Sequence, residues 1–154
     1  MKKPLVIFGT AEIASLAKFY FDHDSNYKVA AFTVDDEYVE EDTFEGLSVI
    51  PFSKIGEHFP PEDADMHVAL SYMQLNRLRA DKYHQAKEAG YTMASYVCSK
   101  SATWPDLSIG DNCFILENQT IQPTVTIGNN VMLWSGNHIG HGTHIGDHTY
   151  VASH

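Results

Sequence analysis

Positive charge is missing from the last third of this sequence. No lysine or arginine follows Lys100, whereas residues 101–154 contain five of the nine histidines. Over the whole chain, ten Lys and Arg stand against twenty Asp and Glu, a formal net charge of −10. This excess of negative charge repels nucleic acid and anionic membrane surfaces, so we expect neither as a partner.

Long apolar runs and cysteines are scarce as well. The aliphatic run Leu5–Phe8 ends at Gly9, too soon for the core of a signal peptide or for a spanning helix of about 20 residues. We therefore expect a cytoplasmic protein. Cys98 and Cys113 are too few for a disulfide framework, and their spacing does not suggest a metal site, so we expect reduced, packed thiols.

A six-residue period is the strongest pattern present. Eight aliphatic residues follow one another at this spacing: Ile109, Ile115, Ile121, Ile127, Leu133, Ile139, Ile145 and Val151. Going backwards, Val97 fits the pattern and Thr103 fits it less well. An ordinary antiparallel sheet would alternate apolar and polar residues at period two, so the pattern favours a solenoid.

A second period of eighteen residues is superimposed on the first. The segments 109–112, 127–130 and 145–148 read Ile-Gly-Asp-Asn, Ile-Gly-Asn-Asn and Ile-Gly-Asp-His. Gly, Asn and Asp suit the left-handed turns that such corners require. Six residues therefore form a side and eighteen a turn of a triangular parallel β-helix, with the aliphatic residues stacked inside.

The first ninety-odd residues have a different pattern. Short apolar runs at 5–8, 29–34, 47–50 and 66–70 predict strands, and the segments 12–21 and 74–89 predict helices. Alternating strands and helices indicate a parallel sheet flanked by helices. We therefore predict a small Rossmann-like α/β domain over residues 1–95 and a β-helix of about three coils over 96–154.

The turn after the first strand resembles a nucleotide-binding turn in its position. Gly9, Thr10 and Ala11 stand where a dinucleotide fingerprint would begin, but alanine replaces its later glycines. The following helix still offers free N–H groups to a phosphate. Asp35, which ends the second strand, is placed to accept a hydrogen bond from a ribose hydroxyl. Alternatively, Gly9 only permits a tight turn and Asp35 only caps a strand. Arg77 and Arg79 either face a phosphate or are solvated.

Four segments together resemble a known family. They are Val6–Thr10, Gly46–Phe52, Gly90–Val97 and the hexapeptide array. In this order they resemble the hexapeptide-repeat sugar O- and N-acyltransferases, which include sialic-acid O-acetyltransferases and bacillosamine-type N-acetyltransferases. The resemblance implies a left-handed β-helix, a nucleotide-sugar or sugar acceptor on the N-terminal domain, and a homotrimer that holds acetyl-CoA or another acyl-CoA donor between subunits.

The resemblance also implies a catalytic base. The family's base is a histidine in the coil that leads into an Ile-Gly-Asp corner, and His141 occupies that place. Imidazole titrates near neutral pH and can take the proton of an attacking hydroxyl or amine. Some relatives have an acidic residue where this chain has Gly140 and a second histidine where it has Tyr150.

Coil arithmetic suggests further site residues. Subtracting eighteen places His154 beside Gly136, close to Asn137 and His138, and places His141 above Pro123. We therefore add Asn137 and His138 to the candidate catalytic residues. His154 and Gly146 are candidates for contact with the acyl-CoA. No metal ligand is expected, and each histidine has the alternative of a solvated outward position.

Three other functions stay open. Histidines on a β-helix can bind zinc between subunits, as in γ-type carbonic anhydrases. The chain could instead bind a nucleotide-sugar without catalysis, or be an NAD-dependent dehydrogenase, which only the degenerate glycine turn supports.

We also expect this sequence to be part of a longer protein, because a coil that stops at Val151–His154 leaves an open apolar end. Because residues 101–154 of the solenoid contain no Lys or Arg, we expect the chain to bind acceptor better than donor.

Overall fold

The computed structural model describes all residues from Met1 to His154. The first part of the chain contains five strands and three helices: β1 (Lys3–Phe8), α1 (Glu12–His23), β2 (Tyr27–Val34), β3 (Thr43–Phe44), β4 (Leu47–Pro51), α2 (Ile55–His58), β5 (Asp65–Val68) and α3 (Arg77–Glu88). No helix has the length and apolar character that crossing a membrane requires.

The strands β1 to β5 form one sheet in the order β3-β4-β2-β1-β5. Its pairs are parallel except β3 with β4, which is a short antiparallel addition at one edge. The predicted parallel sheet is therefore present. Its identification as a Rossmann-like nucleotide-binding domain stays a prediction, since the strand order alone does not define a ligand.

Both faces of the sheet are buried, and β1 shows how the sequence achieves this. Leu5 and Ile7 pack on one face with α1, whereas Val6 and Phe8 pack on the other face with Tyr83 of α3. Successive side chains of a strand point to opposite faces, so a strand covered on both sides is apolar at every position. This explains the uninterrupted run at the start of the sequence.

Nine two-residue strands form the second part of the chain. They are β6 (Tyr96–Val97), β7 (Ser108–Ile109), β8 (Phe114–Ile115), β9 (Thr120–Ile121), β10 (Thr126–Ile127), β11 (Met132–Leu133), β12 (His138–Ile139), β13 (His144–Ile145) and β14 (Tyr150–Val151). All pair in parallel at eighteen-residue intervals, for example Ile127 with Ile145 and Leu133 with Val151. The predicted three-sided solenoid and its register are confirmed.

The solenoid has three faces, which we name by their surroundings. The packed face (β6, β8, β11, β14) lies against the N-terminal part, and its outward side chains Tyr96, Phe114 and Met132 are buried there. The two open faces are β7, β10, β13 and β9, β12, and their outward residues are exposed. We call the turn between the open faces, residues 122–125 and 140–143, the free corner.

The axis of the solenoid runs along α1. Near the end of this helix, Tyr20 contacts the rings of Tyr96 and Phe114 on the first coils, with centroids 5.2 and 5.9 Å apart. Near its beginning, Ile13 shares a cavity with Trp134 and Tyr150 of the last coils. Successive coils therefore climb from the C-terminal end of α1 to its N-terminal end.

Three elements differ from the sequence-based expectation: the short helix α2, which was not predicted, the start of α3, and the edge strand β3. The third helix begins at Arg77 and not at Gln74, because Gln74, Leu75 and Asn76 all adopt left-handed backbone angles with φ of 54°, 54° and 68°. The edge strand β3 was not expected. It is formed by a tight turn at Glu45 and Gly46, both with positive φ, which pairs Thr43 with Ser48.

Candidate active site

The turn between β1 and α1 is tight and leaves backbone donors free. Gly9 has φ of +130°, and a Cβ at this position would lie 2.7 Å from the carbonyl oxygen of Ala69. Ala11 precedes α1 without any side-chain cap, so the first N–H groups of the helix keep no side-chain acceptor. Such an end presents donors and a positive dipole to an anion.

Two cavities flank this turn. One has a volume of about 260 Å³ and begins at Thr10, with Tyr38 and Phe44 among its walls. The other has a volume of about 320 Å³ and lies between Glu12 of α1, Tyr72 and the packed face of the solenoid. An elongated ligand with an anionic centre could therefore lie across the turn with one end in each cavity.

Asp35 is engaged by a lysine. Its carboxylate forms an ion pair with Lys82 of α3, and both side chains are largely buried. The Lys82 ammonium also lies over the ring of Phe8, 5.9 Å from its centroid. The sequence did not indicate this cation, since only the fold brings α3 to the ends of β1 and β2. Asp35 keeps its second oxygen as an acceptor.

Arg79 is neither solvated nor directed at a phosphate, which corrects both expectations. It is 1% exposed and its guanidinium donates to backbone carbonyls of Ser71, Asn130 and His148. Burial lowers its pKa to about 10, so the group stays protonated at neutral pH. Its function is to join the loop after β5 to the solenoid.

His141 lies at the free corner and is exposed. Its backbone N–H donates to the side-chain oxygen of Gln122, 2.9 Å away, and its ring Nδ1 is 3.4 Å from the same oxygen. An amide oxygen only accepts hydrogen bonds, so this contact favours the tautomer with the proton on Nδ1. Nε2 is then the free base. Gln122 is a neighbour of His141 that the sequence did not indicate.

The remaining candidates lie in different environments. Asn137 is 8% exposed, and its amide donates to the carbonyls of Trp134 and Ala152 inside another corner. His138 is exposed on an open face, in strand β12. The His154 ring lies against Gly136, as coil arithmetic predicted. The expected cluster of Asn137, His138 and His154 is thus divided between a buried and an exposed environment.

Gly146 belongs to a third corner, which faces α3. Its carbonyl accepts a hydrogen bond from Thr149, and the neighbouring His148 packs against His84 of α3 with centroids 5.3 Å apart. Among the described residues, no group of three or more His, Cys, Asp or Glu side chains is arranged to hold a metal ion.

The predicted acceptor turn and His141 lie on opposite sides of the solenoid. The packed face separates them, because the free corner is the edge opposite that face. They nevertheless lie at similar height, since His141 lies in the coil between Trp134 and Tyr150, which neighbour the first turns of α1. Within one chain, the solenoid therefore lies between the Gly9 turn and His141.

The hexapeptide repeat matches a known family model. The family model for the bacterial transferase hexapeptide, described as six repeats, matches residues 124–154. No curated protein sequence is similar enough to count as a match. The resemblance to hexapeptide-repeat sugar acyltransferases is confirmed in the repeat and, by the following comparisons, in the fold.

Solved structures extend the similarity over the whole chain. The acetyltransferase domain of PglB from Neisseria gonorrhoeae FA1090, in complex with acetyl coenzyme A, is 15% identical, with 97% of this chain and 70% of that chain covered at a TM-score of 0.80. PerB from Caulobacter crescentus, in complex with CoA and GDP-perosamine, is 18% identical, with 96% and 67% covered at 0.80. WeeI from Acinetobacter baumannii AYE is 15% identical, with 97% and 69% covered at 0.76. At these identities the likeness establishes the fold.

Proposed function

We propose that this chain is an acetyltransferase that moves an acetyl group from acetyl-CoA to a nucleotide-linked sugar, with His141 as the general base. The proposal rests on the family resemblance, on structural relatives that bind acetyl coenzyme A, CoA and GDP-perosamine, and on one observation in this chain. That observation is an exposed imidazole at the free corner whose tautomer is favoured by Gln122.

The chemistry needs one base and one proton path. The sugar amine or hydroxyl attacks the thioester carbonyl, and its proton passes to Nε2 of His141 as the new C–N or C–O bond forms. The tetrahedral intermediate then collapses, the C–S bond breaks, and the proton passes to the leaving thiolate to give CoA. Donors near the oxyanion lower this barrier, and exposed backbone N–H groups are candidates.

The geometry favours an assembly of several copies. The acceptor turn of one chain and its own His141 lie on opposite sides of the solenoid but at similar height. A rotation about an axis parallel to the solenoid brings the free corner of one copy towards the N-terminal part of the next at this height. This supports the homotrimer that the family resemblance implies, with closed cyclic symmetry.

The remaining candidates have unequal support. His138 and His154 are exposed and so remain available for contact with the substrates or the donor. The amide of Asn137 is occupied by two carbonyls, which favours a structural function for it. Gly9, Thr10 and Ala11 remain the proposed anion site. The ion pair between Asp35 and Lys82 is proposed to lie beside it.

A coupled assay that follows release of the CoA thiol tests the proposal. With acetyl-CoA and a panel of nucleotide-linked amino sugars, we expect turnover by the wild type and a loss of about 100-fold or more in kcat for His141→Ala. His144→Ala is the matched control, because His144 is an exposed histidine of the same solenoid that hydrogen-bonds Thr126. Equal kcat in wild type and His141→Ala would exclude His141 as the base.

A further inference from the structure

The cavity between α1 and the solenoid has the dimensions of a small subsite. Its volume of about 320 Å³ is at the lower end of the range of roughly 300–1,000 Å³ that small-molecule sites occupy. It is lined by Ile13 and Leu16 of α1, Tyr72 of the loop after β5, and Trp134 and Tyr150 of the solenoid. It therefore suits one ring-sized group better than an entire nucleotide-sugar.

The topology of the sheet puts this cavity beside the expected ligand crevice. The connection from β1 leads to β2 on one side, and β5 lies on the other side of β1, so the strand order reverses between β1 and β5. Ligands of open parallel sheets bind at the carboxyl ends of the strands at such a reversal. Tyr72 follows β5 and Ile13 follows β1, so both walls begin at this crevice.

Aromatic rings form the far wall. The Tyr72 and Tyr150 rings meet edge to face with centroids 5.0 Å apart, and Trp134 lies 6.5 Å from Tyr150. Tyr72 is 61% exposed, so part of its ring is uncovered. The C–H bonds on one side of a sugar ring carry partial positive charge, which is attracted by the negative face of an aromatic ring.

The side chain of Trp134 also carries an unpaired donor. The indole N–H of Trp134 is buried and has no acceptor in the chain. A buried donor without a partner destabilises the fold, and such groups in native structures call for an explanation. Solvent does not reach this nitrogen, so a sugar oxygen supplies the missing acceptor only where the indole turns towards the cavity.

The loop that carries Tyr72 is held in a strained shape. Gln74, Leu75 and Asn76 are consecutive non-glycine residues with positive φ, a conformation that side chains with a Cβ disfavour. The buried Arg79 stabilises it by donating to the carbonyl of Ser71 and the side chain of Asn76. Strain of this kind is concentrated at ligand sites, where it fixes a side chain in advance.

We propose that this cavity is the subsite for the sugar ring of the acceptor, and that Tyr72 and Trp134 determine which sugars it accepts. The inference rests on the proposed function for its choice of ligand. The diphosphate then lies at the N-terminus of α1, and the nucleoside occupies the cavity that begins at Thr10 on the other side of the turn.

Calorimetric titration of the full chain separates sugar contacts from nucleotide contacts. The probes are GDP-perosamine and a UDP-linked 4-amino sugar, each compared with free GDP or UDP. We expect the wild type to bind a nucleotide-sugar more tightly than its nucleoside diphosphate. Tyr72→Ala should weaken the nucleotide-sugar about tenfold and change the nucleoside diphosphate by less than about twofold.

Two further variants complete the experiment. Trp134→Phe keeps an aromatic ring but removes the N–H, and we expect it to weaken the same nucleotide-sugar about fivefold. Phe19→Ala is the matched control, because Phe19 is an aromatic residue of α1 with similar exposure, 57%, at the other end of the helix. It should leave both affinities unchanged.

The outcomes distinguish this proposal from the proposed function. Equal loss of nucleotide-sugar and nucleoside diphosphate in Tyr72→Ala, or no preference of the wild type for a nucleotide-sugar, would overturn the subsite. Selective loss in binding together with no acetyl transfer in the coupled assay would support the subsite and contradict the acetyltransferase.

Discussion

The Arg79 guanidinium donates to the backbone carbonyl of Asn130, 3.2 Å away across 51 residues of sequence. It also donates to the side chain of Asn130, whose φ of 56° forms a solenoid corner. No carboxylate is hydrogen-bonded to this buried cation, so carbonyl dipoles alone compensate for its lost hydration. One side chain therefore joins α3, the loop after β5 and the solenoid.

Removal of this guanidinium should destabilise the fold. In Arg79→Met the carbonyls of Ser71, Asn130 and His148 lose their donor, and we expect the free energy of unfolding to fall by about 3 kcal/mol. Urea denaturation measures it. The matched control is Arg77→Met on the exposed side of the same helix, which should change stability by less than about 0.5 kcal/mol. Similar losses in both variants would contradict this explanation.

His67 should make the fold sensitive to acid. It is 1% exposed, its Nδ1–H donates to the carbonyl of Ala94, and burial lowers its pKa from 6.5 to about 4. The unfolded chain thus takes up the proton at a higher pH than the folded one. The stabilisation from neutral His67, about 3 kcal/mol, is complete above pH 6.5 and is lost as the pH falls towards 4.

Denaturation midpoints between pH 7 and pH 4 test this prediction. His67→Gln keeps a donor for Ala94 but cannot titrate, so its midpoint should fall less steeply over this range. His58→Gln replaces an exposed histidine and should retain the slope of the wild type. Parallel slopes for wild type and His67→Gln would assign the acid sensitivity to other groups.

Substitutions at Gly9 and Gly46 distinguish the cost of backbone strain from the cost of a close contact. Both have positive φ, but a Cβ at Gly9 would lie 2.7 Å from the Ala69 carbonyl, whereas one at Gly46 meets nothing within 4 Å. We expect Gly46→Ala to cost about 1 kcal/mol from the backbone alone. Gly9→Ala should lower the free energy of unfolding by more than this. It should also weaken nucleotide binding, because the new methyl group displaces the Ala69 carbonyl at the carboxyl ends of β1 and β5. Equal thermal unfolding temperatures in the two variants would refute the close-contact argument.

The solenoid could be predicted residue by residue, since its core is a local pattern. Aliphatic residues at six-residue spacing can stack only if eighteen residues close one turn, so Leu133 had to pair with Val151. The parallel sheet followed from short strands that are apolar throughout, as at Leu5–Phe8. In both cases the information lies within a few residues of each position.

Contacts between distant segments could not be predicted from the sequence pattern. The burial of Arg79 depends on a solenoid corner 51 residues away, and Arg79 also donates a hydrogen bond to Asn76 in the left-handed turn before α3. Helix propensity alone extended α3 back to Gln74. Gln122 was missed because its side chain reaches forward to the next coil, one position beyond the eighteen-residue register.

Because the solenoid axis runs along α1, each coil lies at a defined height along this helix. Each coil of eighteen residues advances by one strand spacing, about 4.8 Å. Inserting or deleting a whole coil before Leu133 would move His141 by that step relative to the start of α1 while preserving every stacked layer. The height of His141 relative to the start of α1 can thus change only in discrete steps, whereas a loop of variable length has no such restriction.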